Sequence, residues 1–297
     1  MRFSCFNPHE LSYGIPERKR GNIDCSLLGG RATSKELRMI FQRFIALGDS
    51  FTEGMTDEII NGNYRGWADR VADVLATKSP DFTYVNLAIR GKLVTQVVGD
   101  QVPQATALIT GKETLISFHA GANDVLRPGY RPENVFPIYN DAVRKLSATG
   151  ATLMLFTVLE RTGNTGKTAD MWAERFSTFN KNVRAIASEV GAIIVDANEK
   201  QFLSDRRLLA FDRLHLNPLG HDRVAQGVLE VLDMPFDPNW RLPLPIAKPT
   251  PWAIKKAISI AWFFSFALPW IWRRIRGKSS GDGRSAKYPN PTTWPLS

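Results

Sequence analysis

Short apolar runs alternate along the middle of this chain with longer segments whose apolar residues recur every three or four positions. The runs are "FIALG" at 44–48, "YVNLA" at 84–88, "TLISFHAG" at 114–121, "TLMLFTV" at 152–158 and "AIIVDA" at 192–197. Each is short and apolar on successive residues, the pattern of a strand buried on both faces. Between them lie "GWADRVADVLATK", residues 93–109, "NVFPIYNDAVRKLSAT" and "ADMWAERFSTFNKNVRAIASEV", and a last helical segment covers 218–232. Buried strands alternating with amphipathic helices predict a three-layer α/β/α sandwich around a five-stranded parallel sheet, over residues 41–235 and without internal repeats.

In such a sheet ligands bind beyond the carboxyl ends of the strands. Asp49 and Ser50 leave the first strand there, Gly121 to Asp124 leave the third, and "FDRLHLNPLGH" at 211–221 follows the fifth. Three polar clusters far apart in sequence are therefore expected at one edge.

The two ends of the chain are different material. Residues 1–40 mix Pro, Gly and charges without periodicity and are expected to be a poorly ordered extension, with Met39 an alternative start. They hold the two cysteines, Cys5 and Cys25, read as free thiols, and no apolar run of the length a secretory signal needs, so a cytoplasmic location is expected. The net charge of +9 first suggests a nucleic-acid partner, yet it lies wholly in the tail. From Trp240 onward ten Lys and Arg face one acid, Asp282, whereas the preceding residues hold 28 of each sign. A neutral body excludes a nucleic-acid surface on the main domain.

Residues 236–297 form a basic, Trp-rich tail with an apolar helix expected at about 253–275. Its uncharged core, "AISIAWFFSFALPWIW" at 257–272, has sixteen residues, fewer than the roughly 20 that span a bilayer, and contains Pro269. Tryptophans beside Lys255, Lys256, Arg273 and Arg274 suit a membrane surface, which makes residues 252–276 a candidate peripheral anchor. Packing of the same helix on the body is the equal alternative. Beyond it the Gly-, Ser- and Pro-rich end is expected to be loosely ordered.

Ser50 needs a base before its hydroxyl can attack anything, and a histidine held by an acid supplies one near neutrality. Asp212 and His215 stand three residues apart, close enough for one turn to aim both at the same point. A tetrahedral intermediate needs hydrogen-bond donors for its oxyanion. The backbone N–H groups of Ser50 and Gly91 and the amide of Asn123 are the candidates. At these residues the chain resembles the SGNH, or GDSL-type, hydrolase family: "GDS" at 48–50, the glycine ending "NLAIRG", "GAND" at 121–124 and "DRLH" at 212–215 match its four blocks in order. The resemblance implies a flavodoxin-like sheet, Ser50 as nucleophile, His215 as base, Asp212 as orienting acid, and Gly91 and Asn123 completing the oxyanion hole. Phe51 stands where the family has leucine, which alters the wall of the site rather than its chemistry.

Other polar residues read as support. Asp49 is expected to fix its loop, Asp124 to brace the loop of Asn123, His119 to sit in the core and His221 on a helix surface, without a metal. "GNTGKT" at 163–168 lacks the glycine a phosphate-binding loop requires, since that position is Arg161. The reading is thus a cofactor-free serine esterase acting on a small-molecule acyl ester, with lipid or acyl esters slightly ahead of carbohydrate O-acetyl esters. Segments 54–66, 125–133 and 160–172 are expected to rim its pocket. The rival is a catalytically silent, membrane-associated binding protein that keeps the hydrolase body.

Overall fold

The computed structural model describes residues 40–160, 166–199 and 201–295. The extension and the start of "GNTGKT" lie outside them. Among these residues the main sheet has strands β1 (Arg43–Gly48), β2 (Thr83–Asn86), β3 (Thr114–His119), β4 (Thr152–Phe156), β5 (Ile193–Val195) and β6 (Tyr288–Thr293), in the spatial order β5-β4-β3-β1-β2-β6. β1 to β5 are parallel, with Ile45 opposite Val85 on one side and Ile116 on the other.

The helices are α1 (Ser50–Glu53), α2 (Gly66–Ala76), α3 at 94–107, α4 (Ala122–Val125), α5 (Pro132–Ser147), α6 (Lys167–Val190), α7 (Pro218–Val231) and α8 at 252–275. Side chains alternate across the sheet and build two cores. Ile45, Leu47, Ile116 and Phe118 face Val97, Tyr139 and Phe179 of α3, α5 and α6, while Phe44, Ala46 and Phe156 face Trp67 of α2 and Val228 of α7. Both faces are covered, which is why the strands read as continuous apolar runs.

The expected five strands are six. β6 comes from the tail and runs antiparallel along β2, pairing Thr293 with Thr83 and Thr292 with Tyr84. Pro289 and Pro291 give this stretch the look of a coil, but a proline is tolerated on an edge strand, whose outer side needs no donors. Residues 288–294 are therefore structured rather than loosely ordered. Trp294 fills the second core, its ring 4.9 Å from that of Tyr84, and its indole N–H donates to Asp73 at 2.7 Å.

From β1 the chain crosses to β2 on one side and then to β3 on the other. The carboxyl ends of β1 and β3, where Gly48 pairs with His119, form the switch point of this sheet.

Candidate active site

Gly48 closes β1 against β3 so tightly that a Cβ there would lie 2.4 Å from the His119 carbonyl oxygen. Its N–H donates to the Gln101 Oε1 at 2.8 Å and its carbonyl accepts from Gln101 Nε2 at 2.9 Å. Gln101 thus clamps the strand end from the π-helical turn Val97–Gln101 within α3. Nothing in the local pattern marks this glutamine, because its partner is a backbone peptide 53 residues away.

Asp49 caps α1, with Oδ1 accepting from the Phe51 N–H at 3.1 Å. Its Oδ2 accepts from Asn123 Nδ2 at 3.0 Å. One carboxylate therefore ties the loop after β1 to the loop after β3. The N–H of Ser50 opens α1, where the helix itself offers no acceptor. Gly121, before Asn123, has φ +102°, and a Cβ there would meet the Phe179 ring at 2.7 Å. Glycine is required at that turn.

The third loop is a tight excursion between Leu209 and Leu216, which form an antiparallel bridge. The Ala210 N–H donates to the His215 carbonyl at 2.8 Å and the Arg213 N–H to the Ala210 carbonyl at 3.0 Å. Arg213 takes φ +61°, a left-handed conformation that costs a non-glycine residue roughly 1 kcal/mol. Inside this loop Asp212 Oδ1 accepts from the N–H groups of Leu214 and His215, each at 3.0 Å. Its Oδ2 lies 2.6 Å from His215 Nδ1. Burial alone would raise the Asp212 carboxyl, but the hydrogen bonds from His215 and Leu214 take it below the usual carboxylate range.

His215 Nε2 lies 3.0 Å from Ser50 Oγ. Ser50, His215 and Asp212 are brought into one hydrogen-bonded line, although the first two stand 165 residues apart. With the carboxylate at Nδ1, the imidazole holds its proton there and turns a bare Nε2 to the hydroxyl.

The oxyanion candidates are placed less uniformly. Asn123 lines the cavity beside Ser50, with its amide donating to Asp49 and, at 3.2 Å, to the Lys92 carbonyl. Gly91 does not line the cavity. It sits beneath the tail, where a Cβ would lie 2.1 Å from Ser279 Oγ, and its neighbour Lys92 is what reaches Asn123. Asp124 accepts from the Val94 N–H at 2.9 Å and so starts α3; burial lifts its carboxyl to about 6.

The cavity at Ser50 encloses about 630 Å³, within the usual range for small-molecule sites. Phe51 lines it, its ring tilted against those of His119 at 4.5 Å and Trp67 at 5.5 Å. Of the segments expected to rim it, 54–66 contributes Met55, 125–133 contributes Leu126, and 160–172 contributes Glu160, Ala169 and Trp172. The cavity runs instead past Ile194 and Leu208 to Val224 and Trp240, a direction set by the packing of α7 and invisible in the local sequence.

His221 is a correction. It is buried at 1% exposure rather than on a helix surface, because the face of α7 that carries it packs inward. Its Nε2 donates to the Met55 carbonyl at 3.1 Å, and burial holds the ring neutral, with its pKa down to about 4. Among the described residues no group of three His, Cys, Asp or Glu side chains could hold a metal ion. In the unfolded chain an imidazole titrates near 6.5, so below that pH the unfolded state binds a proton that the folded state refuses. This residue should therefore cost up to about 3 kcal/mol of stability as pH falls from 7 to 4. Urea unfolding of the wild type against His221→Gln across that window checks it: the wild type should lose ground to the variant on acidification, and a constant difference contradicts the assignment.

The model of the GDSL-like lipase/acylhydrolase family matches residues 46–223, more than half of the chain. No curated protein matches it closely. Among solved structures, that of LAE5, an alpha/beta hydrolase enzyme from the metagenome of Lake Arreo in Spain, superposes with a TM-score of 0.54 at 21% identity, covering 66% of this chain and 98% of that one. Axe2, an acetylxylan esterase from Geobacillus stearothermophilus, gives 0.52 at 18%, covering 65% and 96%. TesA gives 0.52 at 21%, covering 64% and 98%. These likenesses are to the fold.

Proposed function

We propose that this chain, which belongs to the GDSL-like lipase/acylhydrolase family, is an ester hydrolase in which Ser50 is the nucleophile, His215 the base and Asp212 the orienting acid. The observation that carries the reading is the line of contacts at 3.0 and 2.6 Å from Ser50 Oγ through His215 to Asp212. As Oγ attacks the ester carbonyl carbon, His215 Nε2 takes its proton, and Asp212 stabilises the imidazolium. The proton then passes to the departing alcohol, leaving an acyl-enzyme. Water, deprotonated by the same Nε2, attacks the acyl carbon and releases the acid and the free serine.

In this reading the oxyanion is met by the Ser50 N–H and by an Asn123 amide that leaves Asp49 or Lys92 to do so. Gly91 stands outside the cavity and acts from behind, in the loop whose Lys92 carbonyl holds the Asn123 amide. Each such donor is worth about 3 kcal/mol in the transition state. The substrate class is acyl or lipid esters, favoured by a cavity walled by Phe51, Phe156, Val158, Trp172 and Phe176. The likeness in fold to Axe2, an acetylxylan esterase, keeps carbohydrate O-acetyl esters as the second reading.

A fluorophosphonate probe tests the proposal, since it reacts only with an activated serine. Labelling at Ser50 is expected, with hydrolysis of p-nitrophenyl esters across a range of acyl lengths and a preference for chains longer than acetyl. Folded protein that takes no label sinks the esterase, and a preference for acetylated sugars selects the second substrate class.

A further inference from the structure

Helix α8 takes both of the courses open to it in the sequence. It is a continuous helix, uncharged from 257 to 272, and at 24 residues it measures about 36 Å. Yet it is fastened to the body at mid-length, and so are the chain segments that precede and follow it. Before it, the Leu242 carbonyl accepts from Arg223 at 2.7 Å and the Pro245 carbonyl accepts from Arg207. After it, Gly281 packs against the Arg90 backbone and Lys287 is buried. At mid-length the Trp262 indole N–H donates to the Asp212 carbonyl at 2.9 Å. A helix fastened at mid-length between two segments tied to one domain lies along that domain.

Its outer face is left bare. Ile260, Phe264, Leu268, Trp272 and Ile275 are all exposed, Phe264 at 64% and Ile275 at 73%. A contiguous apolar surface of this kind marks an interaction site. The charge around it names the partner: Lys255, Lys256, Arg273, Arg276 and Lys278 flank the face, and no acid occurs from 238 to 281. Apolar rings between cationic clusters fit an anionic lipid surface, each cation adding to the attraction.

The inner edge touches the catalytic loop. Trp262 holds the carbonyl of Asp212, the Arg213 guanidinium lies 4.7 Å above the Trp262 ring centre, and Arg213 Nη2 donates to Ser259 Oγ at 3.1 Å. The left-handed residue of the loop is thus held by α8. Arg213, Leu214 and His215 also line the cavity. We propose that α8 is an in-plane platform for anionic bilayers and that Trp262 is a positioning residue, so that docking on lipid holds the 210–215 loop in its working geometry. The coupling rests on the esterase reading, while the surface does not.

The test uses the full chain with vesicles of phosphatidylcholine alone or mixed with phosphatidylglycerol. Wild type should sediment with the anionic vesicles and release at high salt. On binding, kcat for p-nitrophenyl butyrate should rise roughly three- to tenfold with KM unchanged, the size expected when one hydrogen bond is made secure. Amide exchange at Leu214 and His215 should slow at the same time. Trp262→Phe should bind vesicles equally and lose both effects. Phe264→Glu should unfold at the wild-type temperature and lose binding.

A wild type that ignores anionic vesicles overturns the platform, as does a dimer that Phe264→Glu splits and lipid does not, which hands the face to a second copy. A Trp262→Phe variant stimulated like wild type overturns the coupling; if it fails to fold, Arg213→Ala, which unloads the ring, decides by the same readouts. Should Ser50 take no fluorophosphonate label, the esterase reading fails by itself, and the exchange comparison still settles whether docking reaches the loop.

Discussion

Replacing Ser50 by alanine is expected to lower kcat/KM for short p-nitrophenyl esters by at least about a thousandfold, the scale on which removing a nucleophile from such a triad acts. The variant keeps the N–H that opens α1, the Asp49 cap and the whole cavity wall, so binding survives and the acyl-enzyme route does not. Asp212→Asn should fall by a similar order through a different fault. Its amide can turn an N–H toward His215 Nδ1, which favours the tautomer whose proton sits on Nε2, facing Ser50. Because the three groups act as a unit, the double variant of Ser50 and Asp212 should lose little more than Ser50→Ala alone. Thermal unfolding monitors the fold: Ser50 is partly exposed and carries one small hydroxyl, so the midpoint should hardly move. Turnover within tenfold of wild type by the alanine variant refutes the nucleophile.

How these groups meet also shows what a sequence can carry. The apolar runs that became β1 to β5 were legible because burial on both faces writes itself into consecutive residues. The meeting of Ser50 with the Asp212–His215 loop was legible because a parallel sheet sends the carboxyl ends of its strands to one edge. Other features were not. Gln101 grips a peptide of β1, Trp262 grips a carbonyl of the catalytic loop and His221 is buried behind Met55, and each depends on a partner from another element. Hydrophobic periodicity says which face of a helix turns inward but not which polar atom waits there. β6 was hidden for a different reason, since its two prolines contradict strand propensity and only its edge position excuses them. Gly91 illustrates the limit of a motif: its place after β2 follows from the pattern, whereas its cover by Ser279 does not.

The segment after α8, expected to be loosely ordered, is instead a structural member, and Lys287→Met should expose this by costing about 3–5 kcal/mol of stability. The Lys287 ammonium is buried and spends all three of its protons, on the Tyr64 carbonyl at 2.8 Å, the Arg65 carbonyl at 2.9 Å and Asp69 Oδ1 at 2.7 Å. Asp69 also accepts from the Tyr84 hydroxyl, which accepts from Asn86, whose amide reaches the Thr52 carbonyl inside α1. The chain of bonds therefore runs from the tail to the helix that presents Ser50. Burial is the leading influence on both charges, lifting the Asp69 carboxyl to about 6 even with the ammonium beside it and drawing Lys287 down. Without the ammonium, Asp69 must take up a proton or stay charged in an apolar site, so its folded pKa rises further above the unfolded value near 3.9. The folded variant then binds a proton that the unfolded chain releases, and its stability falls as pH rises through that interval. Urea unfolding should accordingly find a larger loss at pH 8 than at pH 5, and Asp69→Asn should recover part of it in the double variant by removing the second charge. A loss below about 1 kcal/mol, or one equal at the two pH values, contradicts the buried pair as the fastening of the tail.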